Sequence, residues 1–368
     1  MKQATRFLAY EHLQQLIHAI IDHGYSCIGP QMRDGTIIYD SLTSVEELPL
    51  GINIEQSPGH YSVSHTGSTH YFDWANGPQA IKPLLFAPRE KLWQSTKSVS
   101  GEISFSVTPP SEAPVAIFAA RACDIAAMKL QDQHFLQQRF IDPYYQSRRD
   151  NLLLIAVNCS HPSSTCFCHS TGDGPFAEDG FDIALTELDD GFLITAETTI
   201  GEKILQSLPL QNSTQEQLDQ SAAILHTAQQ QQRALPEADI PQQLFRQLNN
   251  TAWQEIAETC LSCGNCTAVC PTCFCHSEHD QAELDGTHSS HYREWDSCFT
   301  QGHSYIHGIT IRADTSQRYR QWLTHKFGSW VEQYGRSGCV GCGRCISWCP
   351  VGIDVVESVT SIVESKHE

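Results

Sequence analysis

Two segments of the chain set four cysteines at one spacing and follow the last with proline. CLSCGNCTAVCP supplies Cys260, Cys263, Cys266 and Cys270 before Pro271; CVGCGRCISWCP supplies Cys339, Cys342, Cys345 and Cys349 before Pro350. C-x2-C-x2-C-x3-C-P is the run by which bacterial ferredoxins hold cubane clusters. Three thiolates from one tight loop reach three irons, and the fourth cysteine, leaving the loop at proline, ligates the other cluster. The spacing therefore predicts two [4Fe–4S] clusters with crossed ligation. Cys260, Cys263, Cys266 and Cys349 would hold one, and Cys339, Cys342, Cys345 and Cys270 the other. Gly264, Gly341 and Gly343 lie within these loops, where a backbone curling round inorganic sulfide leaves no room for a Cβ. A zinc ribbon needs two CxxC pairs and no third cysteine at the same step. Disulfides do not explain close CxxC triplets in a chain with no export signal.

A second cysteine pattern is stranger: TCFCHS occurs at Thr165–Ser170 and again at Thr272–Ser277. The two thiolates of a C-x-C pair do not easily bind one iron but can reach two irons of one cubane. The first copy follows two apolar runs, Val115–Ala119 and Leu152–Val157, which read as buried parallel strands. Ile125–Phe135 between them reads as part of a crossover helix. Cys123, at the start of that helix, and Cys159 then emerge at the carboxyl ends of strands in one sheet, where open α/β sheets bind ligands. Cys123, Cys159, Cys166 and Cys168 are thus candidates for a third cluster, favoured by the N–H groups of the helix start. Cys273 and Cys275 of the second copy, with Cys298 of WDSC, form a separate thiol-rich candidate site. The rival arrangement has both copies clamp one cluster, so that Cys166, Cys168, Cys273 and Cys275 share it. Asp124, beside Cys123, is a candidate non-cysteine ligand that would leave an iron open to substrate.

The elements that must position these groups divide the chain in three. Residues 1–205 read as an α/β domain with a partly parallel sheet, including a hairpin of Asp182–Leu188 and Phe192–Thr198 turned at Asp190-Gly191. Leu13, Leu16, Ile17, Ile20 and Ile21 have helical spacing and mark an N-terminal helix on a core, not a signal peptide. Residues 206–250 hold 12 glutamines and read as a helical connector. Residues 251–368 carry eleven of the sixteen cysteines and read as a dicluster ferredoxin-like α+β domain with a long insertion, 271–338. The net charge of −19 repels phosphate backbones and anionic lipid, so nucleic acid and membrane are poor partners. Sixteen cysteines without an export signal point to metal in a reducing cytoplasm. GDGPFA at Gly172–Ala177 is no dinucleotide fingerprint, since it follows a cysteine loop and carries Pro175 where a helix should begin. The histidines show no HExxH or similar spacing; His169 and His276, after each CFC, read as surface residues.

Taken together, these motifs resemble the iron–sulfur β subunit of cytoplasmic sulfhydrogenases (NADP-linked nickel–iron hydrogenases) and the related A subunit of anaerobic sulfite reductase. In the first half the resemblance rests on RACDIAAMKLQD, DPYYQSRRDN, the Cys159 segment with TCFC, and DIALTEL. In the second it rests on CLSCGNCTAVCPTCFC, WDSC, RYRQ, HKF and CVGCGRCISWCPVGID. The resemblance implies a non-catalytic electron-transfer subunit. It would relay electrons between a flavin subunit that handles NAD(P)H and a catalytic subunit, the nickel–iron hydrogenase ahead of the sulfite reductase. A self-sufficient reductase with an open-site cluster is the reading of a different class.

Overall fold

A computed structural model of the chain describes residues 5–79 and 81–365. Its largest sheet has eight strands in the order Gln211–Asn212, Arg6–Ala9, Gly191–Ala196, Ile183–Glu187, Leu152–Val157, Val115–Ala120, Ser26–Arg33, Thr36–Ser41. The four from Ile183–Glu187 to Ser26–Arg33 run parallel and the outer pairings are antiparallel. The central strands are apolar on both faces because both are covered. Helix Leu13–Asp22 packs Leu13, Leu16, Ile17 and Ile20 on one face. Helix Ala122–Leu136 packs Ile125, Met128 and Phe135 on the other, against Ile117 and Leu154. The expected crossover is therefore present: Val115–Ala120 and Leu152–Val157 lie side by side and parallel.

The register of that pair breaks at Ala119, which adopts φ +65° and is fully buried. A bulge of this kind re-aims the chain at a strand end. Here it turns Arg121 and Cys123 over the carboxyl edge of the sheet, with the Ala119 carbonyl accepting from the Tyr39 hydroxyl at 2.7 Å.

A second, four-stranded sheet joins the two halves of the sequence. Its order is His276–Ala282, His288–Trp295, Arg89–Lys97, Ile103–Val107. The hairpin from segment 271–338 thus hydrogen-bonds to strand Arg89–Lys97 of the first half. The rest of that segment folds back as helices Thr315–Thr324 and Trp330–Tyr334. Trp322, Leu323 and Phe327 there form a core with Val355, Val359 and Ile362 of the C-terminal helix and with Phe167 of the first half. Residues 206–250 contain helices Gln215–Gln229 and Ile240–Arg246, but Gln211–Asn212 forms the edge of the large sheet against Arg6 and Phe7. Among the described residues, no helix is long and apolar enough to cross a membrane.

Candidate metal centres

The cysteines gather around four cavities. Cys260, Cys263 and Cys266 line the first with Cys349 and Cys345, walled by Phe299, Tyr319 and Trp322. Cys339, Cys342 and Cys345 line the second with Cys270, Phe167 and Lys326. Each ferredoxin loop thus meets the fourth cysteine of the other, as crossed ligation requires. Cys123, Cys159, Cys166 and Cys168 line the third, with Asn76 and Arg121. Cys273 and Cys275 line the fourth, alongside Cys263, Lys82 and Asp296. The two C-x-C pairs therefore face different cavities, and the arrangement in which both clamp one cluster is corrected. Cys27 sits in the apolar core beneath the large sheet, away from all four.

Local structure explains each placement. Cys123 is in the first turn of helix Ala122–Leu136, whose N-cap is the extended Arg121. Cys159 follows the end of strand Leu152–Val157 and is held there by a hydrogen bond from its N–H to the Pro175 carbonyl, 3.1 Å. In TCFC, which runs through turns closed by Cys166 N–H to the Ser163 carbonyl and Ser170 N–H to the Phe167 carbonyl, Cys166 and Cys168 face one cavity and Phe167 the next. The phenylalanine is a partition between two sites. In the second copy Phe274 instead stacks on His134, 3.5 Å between centroids, beside Trp330.

Glycine is obligatory where the second ferredoxin loop crosses the first TCFC. The Phe167 N–H donates to the Gly341 carbonyl at 2.8 Å. Gly341 and Gly343 have φ +62° and +74°, and a Cβ on either would sit 2.5 Å from Cys168 N or 2.6 Å from the Thr165 carbonyl oxygen. Next to this crossing, Arg344 and Asp124, 1% and 0% exposed, form a bidentate pair at 2.7 and 2.9 Å. Both Asp124 oxygens are thereby occupied, and Asp124 does not line the Cys123 cavity. The expectation that it ligates an iron is corrected. His169 and His276 are exposed, as expected.

Two tests bear on what these cavities hold. The first is spacing. Among the described residues, no three cysteine sulfurs lie within 4.8 Å of one another, the arrangement a single metal ion would need. Thiols standing apart around a cavity suit a cluster, in which each binds a different iron. The second is charge. Arg121, Lys326 and Lys82 are 2%, 5% and 3% exposed, and among the described residues none has a carboxylate partner. Arg121 donates to the carbonyls of Phe72 and Trp74 and lies over the Trp74 ring. The Lys326 ammonium is 3.4 Å from Cys270 Sγ and 2.8 Å from Thr272 Oγ1. Lys82 Nζ is 3.2 Å from the Ala268 carbonyl oxygen and 3.7 Å from the centre of the Trp295 ring. Burying a lone cation costs several kcal/mol, roughly, unless an anion faces it. Each of these three borders a cysteine cavity, and a thiolate-bound cluster is such an anion.

Burial pushes the Cys166 and Cys339 thiols up to about 12 and drives those of Cys123, Cys168, Cys266 and Cys345 well above the ordinary range. At neutral pH such thiols are protonated and inert, so metal binding there would release protons. Cys270 is the exception: the hydrogen bond from Cys273, and then the Lys326 ammonium, hold it well below that range. Sequence reasoning did not single out the three cations, although Arg121 stands two residues before Cys123 and Lys326 lies in the HKF segment. The trio His70, Asp73 and Glu187 converges elsewhere. The Glu187 carboxylate is already used, accepting from the N–H groups of Tyr71 and Phe72 at 2.7 Å each.

Comparison with known proteins agrees with this geometry. Residues 259–353 match the family described as a 4Fe-4S dicluster domain. The chain is 28% identical over 341 residues to sulfhydrogenase 2 subunit beta of Pyrococcus furiosus, covering 91% of this chain and 92% of that protein. A match over nearly the full length of both chains, together with the dicluster domain, supports the iron–sulfur β-subunit family.

Proposed function

We propose that this chain is the iron–sulfur electron-transfer subunit of a cytoplasmic multi-subunit oxidoreductase. It would relay electrons between a flavin subunit that handles NAD(P)H and a catalytic subunit, of the nickel–iron hydrogenase type before the sulfite-reductase type. The observation that carries the reading is the contiguity of the cysteine cavities. Cys345 lines both ferredoxin cavities, and Phe167, flanked by two cysteines of the Cys123 cavity, lines the second of them. Cubane clusters supply one-electron transfer with little rearrangement. The chain's own groups have three tasks toward them. Cys260, Cys263, Cys266 and Cys349 ligate one; Cys339, Cys342, Cys345 and Cys270 the second; Cys123, Cys159, Cys166 and Cys168 the third. Arg121 and Lys326 offset the negative charge, and the apolar walls of Phe299, Tyr319 and Trp322 keep water from the first. The organisation into an α/β domain, 1–205, a connector, 206–250, and a dicluster domain, 251–368, belongs to the same proposal.

The test is anaerobic purification from the native cell, with copurifying subunits identified and iron and sulfide counted. The expected protein contains iron, travels with a flavoprotein, and by itself oxidises neither NAD(P)H nor hydrogen and does not reduce sulfite. A Cys349→Ala variant should lose the electron paramagnetic resonance signal of the cluster on Cys260, Cys263 and Cys266 while keeping that on Cys339, Cys342 and Cys345. Robust turnover by the isolated chain, or loss of the opposite signal, rejects the reading or the ligand assignment respectively.

A further inference from the structure

Besides Cys27 in the apolar core, three thiols remain outside the three sets above, Cys273, Cys275 and Cys298, and they lie near a histidine that sequence reasoning did not single out. The hairpin of His276–Ala282 and His288–Trp295 pairs His276 with Trp295 at its open end. One step further, the Asp296 N–H donates to the Cys275 carbonyl at 2.9 Å. The chain ends of this hairpin therefore bring Cys275 beside the WDSC segment, and Cys298 lies close enough to Cys275 for their charges to interact. The turn Gln301–Ser304 then returns His303. Its Nδ1 is 3.0 Å from Asp296 Oδ2, and its ring lies near enough to Cys275 to feel that thiol's charge. A carboxylate on one imidazole nitrogen fixes the ring so that the other can bind a metal. Cys273 lines one cavity, of about 160 Å3, with Cys275 and Asp296. Cys298 and His303 do not line it themselves and join the set through their neighbours Cys275 and Asp296.

We propose that Cys273, Cys275, Cys298 and His303 hold a fourth iron–sulfur cluster, with the His303 imidazole as its one non-thiolate ligand and Asp296 as the group that orients it. Lys82 is the independent sign of an anion here. It is a buried ammonium that borders the cavity and, among the described residues, has no carboxylate partner. A zinc ion would need three donors close together, and no three of these donors lie within 4.8 Å of one another. Cys263 lines this cavity as well as the first ferredoxin cavity, so the fourth centre adjoins the first. Replacing one thiolate by neutral imidazole lowers the charge of the centre and raises its potential relative to an all-cysteine one. The inference rests on the electron-transfer reading and goes beyond it by one centre.

The experiment uses the full chain, purified anaerobically with its iron and acid-labile sulfide intact. Four centres give about 16 irons per chain. A Cys275→Ser/Cys298→Ser variant, which leaves Cys273 beside Cys270, should lose about a quarter of them while the three other resonance signals persist. In the reduced wild type, pulsed electron paramagnetic resonance should detect a directly bound nitrogen that changes on labelling histidine with 15N. His303→Cys should abolish that nitrogen signal, keep the iron and shift one midpoint potential downward. An unchanged iron count in the double serine variant, zinc in place of iron, or a wild type without the nitrogen signal overturns the fourth centre and leaves the other three standing. An iron-free wild type overturns the electron-transfer reading as well.

Discussion

At the scale of single residues, the cysteines were legible and the charges facing them were not. Spacing alone grouped Cys260, Cys263 and Cys266, because a loop of seven residues has few ways to fold. Lys82 and Lys326 carry no local signature, since their meaning comes only from burial without a carboxylate. Glu187 makes the same point in reverse. It reads as a strand residue, yet its carboxylate is buried against two backbone N–H groups, and burial raises its pKa from 4.5 to about 7. The folded state therefore keeps a proton that the unfolded chain has given up. Its contribution to stability is full below the unfolded value and is lost as pH rises through the folded one, about 7. The loss across that window is on the order of 3 kcal/mol. His161, raised by its hydrogen bond to Asp73, adds a loss of the same sign, so the comparison must isolate Glu187. In Glu187→Gln, urea denaturation between pH 4.5 and 8 should show a shallower decline than wild type, by about that amount. The variant also bears a pH-independent cost of about 1–2 kcal/mol, because an amide has one acceptor where the carboxylate offers two. Parallel pH profiles for the two proteins would refute the assignment.

At the scale of elements, two apolar runs sufficed to foresee the parallel pair and the cysteines at its ends, because strands buried on both faces are written as continuous apolar sequence. The bulge between them was hidden. Nothing in VAIFAAR announces that Ala119 takes φ +65° in the interior. A left-handed conformation costs an alanine about 1–2 kcal/mol, and glycine nothing. Against this, glycine loses more backbone entropy on folding, by about 0.4–1 kcal/mol. Ala119→Gly should therefore be close to neutral in thermal stability and should keep its iron. Ala119→Val, branched at Cβ and fully buried, should lower the midpoint clearly and release iron from the Cys123 site first. Equal midpoints for the two variants would show that the bulge does not position Arg121 and Cys123. The hairpin of segment 271–338 was missed for another reason: its strands are polar, and its partner Arg89–Lys97 lies some 190 residues away. Register with so distant a strand leaves no periodic trace.

At the scale of the whole molecule, the halves that composition separates are locked together. Arg344 of the second ferredoxin loop reaches Asp124 of the first half, and the pair is out of contact with water. Removing one partner of such a pair costs about 3–5 kcal/mol, because the other charge stays buried. Arg344→Met should lower the thermal midpoint of the anaerobic protein accordingly. Asp124→Asn/Arg344→Met should recover much of the loss, since no lone charge remains. A double variant no more stable than the single one would contradict this account. The interlock also sets a timetable for manufacture. The walls of the Cys123 cavity are complete once residue 175 has been made, but the glycine loop that crosses Cys166–Cys168 begins at residue 341. A ribosome adding about 5–20 residues per second needs roughly 10–30 s to cover the interval. Throughout it the four thiols can stand open on a nascent chain. Once Gly341 and Gly343 settle onto Thr165 and Cys168, the TCFC segment is covered by backbone packed too tightly for a methyl group. For the proposed cluster at that site, delivery of iron and sulfide would thus belong to the making of the protein and not to its working life.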